Sequence, residues 1–150
     1  MPRFALSVFL IVCGLQLTAQ DCFEFHKKQC CPAQGYFAYS VNDASVSYGF
    51  VPGESRCVPL QLFQGKDYRI TICSDSLYNG IVSLVIKKAD GRIFYDNSQD
   101  EFNTEVEFSC RNTTDVDCIL TAPNRLDVAE GTKGCIGLLI EETATPKIGF

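Results

Sequence analysis

The chain has 150 residues, 46% of them hydrophobic, with thirteen Lys/Arg against eighteen Asp/Glu and a formal net charge of −5 at pH 7. An acidic protein with no basic run longer than the pairs Lys27-Lys28 and Lys87-Lys88 is a poor match for a nucleic-acid backbone or an anionic membrane surface, which excludes both as partners. Nine cysteines and a single histidine point to covalent stapling rather than to acid–base chemistry.

Taken in chain order, the first predicted element is a leader. Arg3 gives a positive start, Phe4 to Leu17 an apolar stretch, and Thr18-Ala19-Gln20 a small-residue exit, the three parts of a secretory signal peptide. The apolar run is shorter than the roughly 20 residues a spanning helix needs. Residues 1–20 are therefore expected to be removed and the protein to be secreted or periplasmic. Neither Cys13 nor Cys22 follows the small residues that lipid attachment needs, and Lys147-Ile148-Gly149-Phe150 carries no GPI signal. No second apolar segment has spanning length. Loss of Arg3 takes the net charge to −6, and what remains is one domain by length.

Residues 21–34 read as a short cysteine-rich arm. Asp21 to Cys30 is the only stretch that could form a helix, and Cys31-Pro32 stops it. From residue 35 to residue 150 the dominant period is two. Tyr36–Val41 and Ser45–Phe50 form strands separated by Asn42-Asp43. Val58, Leu60 and Leu62 alternate with Pro59, Gln61 and Phe63; Tyr68, Ile70 and Ile72 alternate with Arg69, Thr71 and Cys73. Val82, Leu84 and Ile86 follow the same rule, as do Val106, Phe108 and Cys110, and Cys118, Leu120 and Ala122. This is the pattern of half-buried strands. Asp90-Gly91, between Ser83–Lys88 and Arg92–Tyr95, is a two-residue hairpin signal. Cys135 to Ile140 is apolar on both faces, as a central strand would be, and Gly134 and Gly137 mark a bend or a close backbone approach. The predicted fold is all-β: an antiparallel β-sandwich, jelly-roll-like, with a short disulfide-rich N-terminal arm.

Eight cysteines survive removal of the leader: Cys22, Cys30, Cys31, Cys57, Cys73, Cys110, Cys118 and Cys135. In an exported chain an even set reads as a disulfide framework. Cys110 and Cys118 flank the turn Arg111 to Asp117. They are expected to bridge a hairpin, contributing on the order of 2–3 kcal/mol. Vicinal Cys30 and Cys31 should take different partners, because a ring between neighbours is strained; the candidates are Cys22, Cys57, Cys73 and Cys135. The other pairings stay open, since eight cysteines allow 105 connectivities. No Cys-x2-Cys element offers a zinc ribbon or a redox motif.

Other candidate sites are few. His26 lies in a polar stretch, Phe23 to Lys28, with no nucleophile motif nearby, and reads as solvated. Asp96, Asn97, Asp100 and Glu101 form an oxygen-rich loop that could hold calcium, the only cofactor the sequence suggests; an ordinary polar turn has the same composition. Asn112-Thr113-Thr114 is a glycosylation sequon that matters only in a eukaryotic secretory pathway. Glu105 and Glu107 share a solvated strand face rather than opposing one another as glycosidase carboxylates do. Tyr36, Phe37, Tyr39, Tyr48 and Phe50 suit carbohydrate binding or core packing equally, and the absence of Trp weakens the first.

Three stretches carry a resemblance: Phe63-Gln64-Gly65-Lys66-Asp67-Tyr68-Arg69-Ile70, Phe94-Tyr95-Asp96-Asn97, and Gly134-Cys135-Ile136-Gly137-Leu138-Leu139-Ile140-Glu141 with the end Pro146 to Phe150. Together they resemble a group of small secreted bacterial β-sandwich proteins of unassigned function. More distantly, Gly65-x-x-Tyr68-Arg69-Ile70 followed by strand, Asp90-Gly91, strand and Asp96-Asn97 is similar to the bacterial pre-peptidase C-terminal domain. That resemblance implies a non-catalytic β-sandwich and supplies no catalytic residue. The expected function is a non-enzymatic binding or structural module with an unknown protein or glycan partner, working through end loops or an edge strand. A calcium-dependent or carbohydrate-binding module using the 96–101 loop is the alternative. A small hydrolase or thiol redox protein comes third, with one histidine and no motif behind it.

Overall fold

The computed structural model describes residues 22–32 and 39–146. The leader, Tyr36 and Phe37 lie outside the described residues. After a helix α1 (Phe25–Gln29) come nine strands: β1 (Ser40–Val41), β2 (Val46–Phe50), β3 (Ser55–Leu62), β4 (Lys66–Ser74), β5 (Ser83–Lys88), β6 (Ile93–Asp96), β7 (Glu105–Cys110), β8 (Thr114–Thr121) and β9 (Gly134–Ala144). One sheet runs β1/β2-β9-β4-β7, with β1 and β2 both paired to β9; the other runs β3-β8-β5-β6. Every strand pairing is antiparallel. Only β5 and β6 form a hairpin within one sheet. The other connections from β2 onward cross between sheets, which gives the interleaved order of a jelly-roll-like sandwich.

The period-two pattern explains the layers. Val58, Leu60, Leu62, Tyr68, Ile70, Ile72, Leu84, Ile86, Val116, Cys118 and Leu120 turn inward and join Ile136, Leu138 and Ile140 in one core. Asp90-Gly91 makes the expected turn, with Gly91 at φ 83°, where only glycine is unstrained. The two N-terminal strands are short. They do not pair with each other but lie end to end along β9, because β9 is long enough to accept both.

Strand β9 is central, as its two-sided apolarity requires. Its inner face fills the core; its other face, Cys135, Gly137, Leu139 and Glu141, is also buried. The arm provides cover there. Cys22 is bridged to Cys135 and Cys30 to Cys73, so both ends of α1 are tied to neighbouring strands of one sheet. A Cβ on Gly137 would stand 2.8 Å from the Cys73 sulfur and 2.9 Å from the His26 Cα, so the helix rests where only glycine leaves room.

Two cysteine expectations are corrected. Cys110 and Cys118 do not pair; both are thiols. Cys110 opposes Lys66 in one sheet, whereas Cys118 opposes Val58 and Ile86 in the other, because the 111–113 turn crosses between sheets instead of closing a hairpin. Cys31 and Cys57 are exposed thiols, so four of the eight cysteines are bridged. Cys118 is buried, which pushes its pKa up to about 12 and keeps it an inert core side chain.

His26 is not solvated; it is 6% exposed. Ser47 of β2 supplies the reason. Its Oγ accepts the His26 backbone N–H at 2.7 Å and lies 2.7 Å from Nδ1. The hydroxyl caps the start of α1 and is hydrogen-bonded to the imidazole as well. Burial lowers the His26 pKa, helped by Lys27, while Glu24 raises it. In the unfolded chain the imidazole takes its proton near pH 6.5. Stability from the docked arm is therefore fully present above that pH and is lost as pH falls towards the lower folded-state value. As the only histidine, it is the side chain that titrates between pH 7 and 5. Thermal unfolding should weaken over that window, and His26→Gln should flatten the dependence; equal declines in both proteins would exclude the histidine as the cause.

Candidate functional site: a cation-rimmed groove at one corner of the sandwich

The turn after β5, the start of β6 and the turn between β7 and β8 meet at one corner and enclose a groove of about 650 Å³, within the size range of small-molecule sites. Its floor is made by inward-facing strand ends. Leu62, Val116 and Cys110 are nearly fully buried there. Phe94 of β6 and Phe108 of β7 close the gap between the sheets edge to face, with ring centroids 4.9 Å apart. Phe108 in turn stacks on Tyr68 at 5.8 Å. Tyr68 is itself fixed by accepting the Phe63 N–H at its hydroxyl, 2.9 Å away. Three aromatic rings locked in series make a rigid wall at little further cost in side-chain entropy.

The rim is cationic. Lys88, Arg92 and Arg111 line it, with Asp90 as the single carboxylate. Asp90 is already committed: it accepts the Arg92 backbone N–H at 3.0 Å and the Arg92 Nε at 2.7 Å. Those bonds hold its pKa down, the backbone one first, and they neutralise Arg92. The Lys88 ammonium lies 6.0 Å from the Phe94 ring centroid, at the outer reach of a cation–π contact. Arg111 is held out by a braced turn. The Cys110 thiol donates to the Asn112 carbonyl at 3.1 Å, and Thr113 Oγ1 accepts the Gln64 N–H at 3.1 Å. Among the described residues neither Lys88 nor Arg111 forms an ion pair. Two cations without an ion pair over an apolar floor, in a chain of net charge −5, make a local inversion of the protein's field.

The residues expected from sequence lie elsewhere. Asn97 is fully buried; its Oδ1 accepts the Leu84 N–H at 2.8 Å, and its Nδ2 donates to the Val82 and Asn103 carbonyls at 2.9 and 3.2 Å. Asp96 accepts the Ser98 N–H and hydroxyl, and Asp100 accepts from the Asn103 amide. Glu101 lies in the same turn, exposed, while the Asn97 side chain points inward. Among the described residues no cluster of three or more His, Cys, Asp or Glu side chains is arranged for a metal. Glu105 and Glu107 both reach Arg69, as does the buried Glu141. Tyr48 and Phe50 pack edge to face under Arg56, so the aromatics described there serve packing. The sequon asparagine, Asn112, is exposed on the groove's own turn. The groove residues Lys88, Phe94, Phe108 and Arg111 escaped the sequence reading. A cation beside each of two turns was the one visible signal.

Fold and groove together define a disulfide-stapled antiparallel β-sandwich with an open groove at one corner. No protein-family model matches the chain, and no curated protein matches it. Among solved structures it is similar to PliG of Aeromonas hydrophila, a periplasmic lysozyme inhibitor of g-type lysozyme. The two share 8% identity and a TM-score of 0.49, over 75% of this chain and 93% of that one. A likeness of that strength carries no functional information.

Proposed function

We propose that this protein is an exported, non-enzymatic binding module that works through the corner groove. The observation that carries the reading is the pair of unpaired cations, Lys88 and Arg111, set above the rigid floor of Leu62, Phe94, Phe108 and Val116. Apolar floors with a few convergent polar groups are the usual architecture of ligand sites. A hydrolase reading would have to use His26 and Ser47, the serine–imidazole pair in hydrogen-bond contact. Ser47 spends its oxygen on the helix backbone and the imidazole is buried under the arm, so the pair serves as a clamp. The two bridges and the leader-like first residues support export.

The experiment is fluorescence titration with anilinonaphthalene sulfonate, an anionic apolar dye, on the native protein. One molecule should bind per chain with near-UV circular dichroism unchanged. Phe94→Glu, at a half-exposed position that leaves the Tyr68–Phe108 stack in place, should weaken binding about tenfold, equivalent to about 1.4 kcal/mol. A dye that ignores the native protein, or binds the variant equally well, would falsify the groove reading.

A further inference from the structure

We infer that the groove is built for a single-chain anionic amphiphile: one carboxylate or phosphate head on an unbranched hydrocarbon tail. The inference rests on the groove reading above. The head would sit at the rim, where Lys88 projects from the end of β5 and Arg111 from the β7–β8 turn. Arg92 is excluded from that role because Asp90 already holds it. A guanidinium and an ammonium together suit an oxyanion of either kind, the first by its fork and the second as a point charge. The tail would run inward over Phe94 and Phe108 to the buried side chains of Leu62, Val116 and Cys110.

Charge and hydrogen bonding select this ligand over its rivals. A peptide of the same length would bring amide groups against the floor, and each one left unpaired costs about 1–3 kcal/mol; a hydrocarbon tail brings none. A sugar would meet the same apolar floor with too many hydroxyls. A membrane surface requires a protruding apolar or basic face, whereas these cations rim a recess in a chain of net charge −5.

The test is displacement of the bound dye by dodecanoate, dodecyl phosphate and dodecyltrimethylammonium, each below its micellar concentration. Backbone amide shifts are followed in parallel. The anionic probes should displace the dye, and the cationic one, with the same tail, should bind about tenfold more weakly. Amide shifts should centre on residues 88–94 and 108–114. Lys88→Gln with Arg111→Gln, both surface changes, should remove the preference for the anionic head. If only dodecanoate displaces the dye, the ligand is a fatty acid; if only dodecyl phosphate does, it is a phosphate-headed lipid. Both outcomes support the inference. Dye that binds and responds to Phe94→Glu but is displaced by no amphiphile overturns the inference and leaves the groove reading standing. A preference that survives in the double variant, or tighter displacement by a short acidic peptide, overturns it as well. Failure of the dye to bind at all removes both.

Discussion

Replacing Cys22 and Cys135 with serine should lower the melting temperature by roughly 10–20 °C. The bridge joins residues 113 apart in sequence. In the chain-entropy account, closing a loop of that size is worth about 4–5 kcal/mol, and slightly less when a second bridge already shortens the unfolded chain. That second bridge, Cys30–Cys73, spans 43 residues and holds the far end of α1. With the first bridge gone, the Ser47 clamp on His26 is among the contacts left at the N-terminal end of the arm. Differential scanning calorimetry of the double serine variant is the measurement, with hydrogen exchange at residues 25–30 to show where protection is lost. A melting temperature within about 3 °C of the native one would mean that the unfolded chain is already compact without the bridge.

The second large effect belongs to Asn97→Ala. The side chain makes three hydrogen bonds to main-chain groups from a fully buried position. Its removal leaves the Leu84 N–H and the Val82 carbonyl without that partner at the start of β5, next to the core. Each buried orphan costs about 1–3 kcal/mol, for a total of about 3–4 kcal/mol. Denaturant unfolding should show a lower midpoint with an unchanged slope. Asn97→Asp keeps the acceptor for Leu84 but sets a buried carboxylate against the Val82 and Asn103 carbonyl oxygens, so at neutral pH it should cost at least as much as Ala. A loss below about 1 kcal/mol for Ala would mean that water enters and replaces the amide.

The bridge and the buried amide illustrate what the sequence could and could not disclose. Alternation along β3, β4, β5 and β8 made the sandwich legible, because a half-buried strand writes its inner face into every second residue. The two-sided apolarity of β9 likewise announced a central strand. Partners across the sandwich are not written locally. The turn from Arg111 to Thr113 reads as a hairpin tip in sequence but crosses between sheets, so the Cys110–Cys118 pairing failed and the groove beside it stayed hidden. In sequence Asn97 reads as a polar-turn residue or a calcium ligand, since Asp, Asn and Ser crowd the same stretch. Nothing local says that this one amide turns inward to bond Val82 and Leu84. His26 was read as solvated for a similar reason: its neighbours Glu24, Lys27 and Lys28 are polar, and Ser47, which buries it, lies 21 positions away. Gly137 was flagged as a close approach, and the approaching group proved to be the chain's own N-terminal helix.

The bridge between Cys22 and Cys135 also turns most of the domain into a covalent ring. Among the described residues, eight of the nine strands lie wholly between the two cysteines, and the ninth carries the closing one. A protease that nicks any loop within the ring, including the long 122–133 connection, releases no fragment, because the two pieces stay joined through sulfur. While the bridge is intact, a single cut at an exposed turn is then a local wound that the intact sheets can hold closed, and loss of the domain requires at least a second cut.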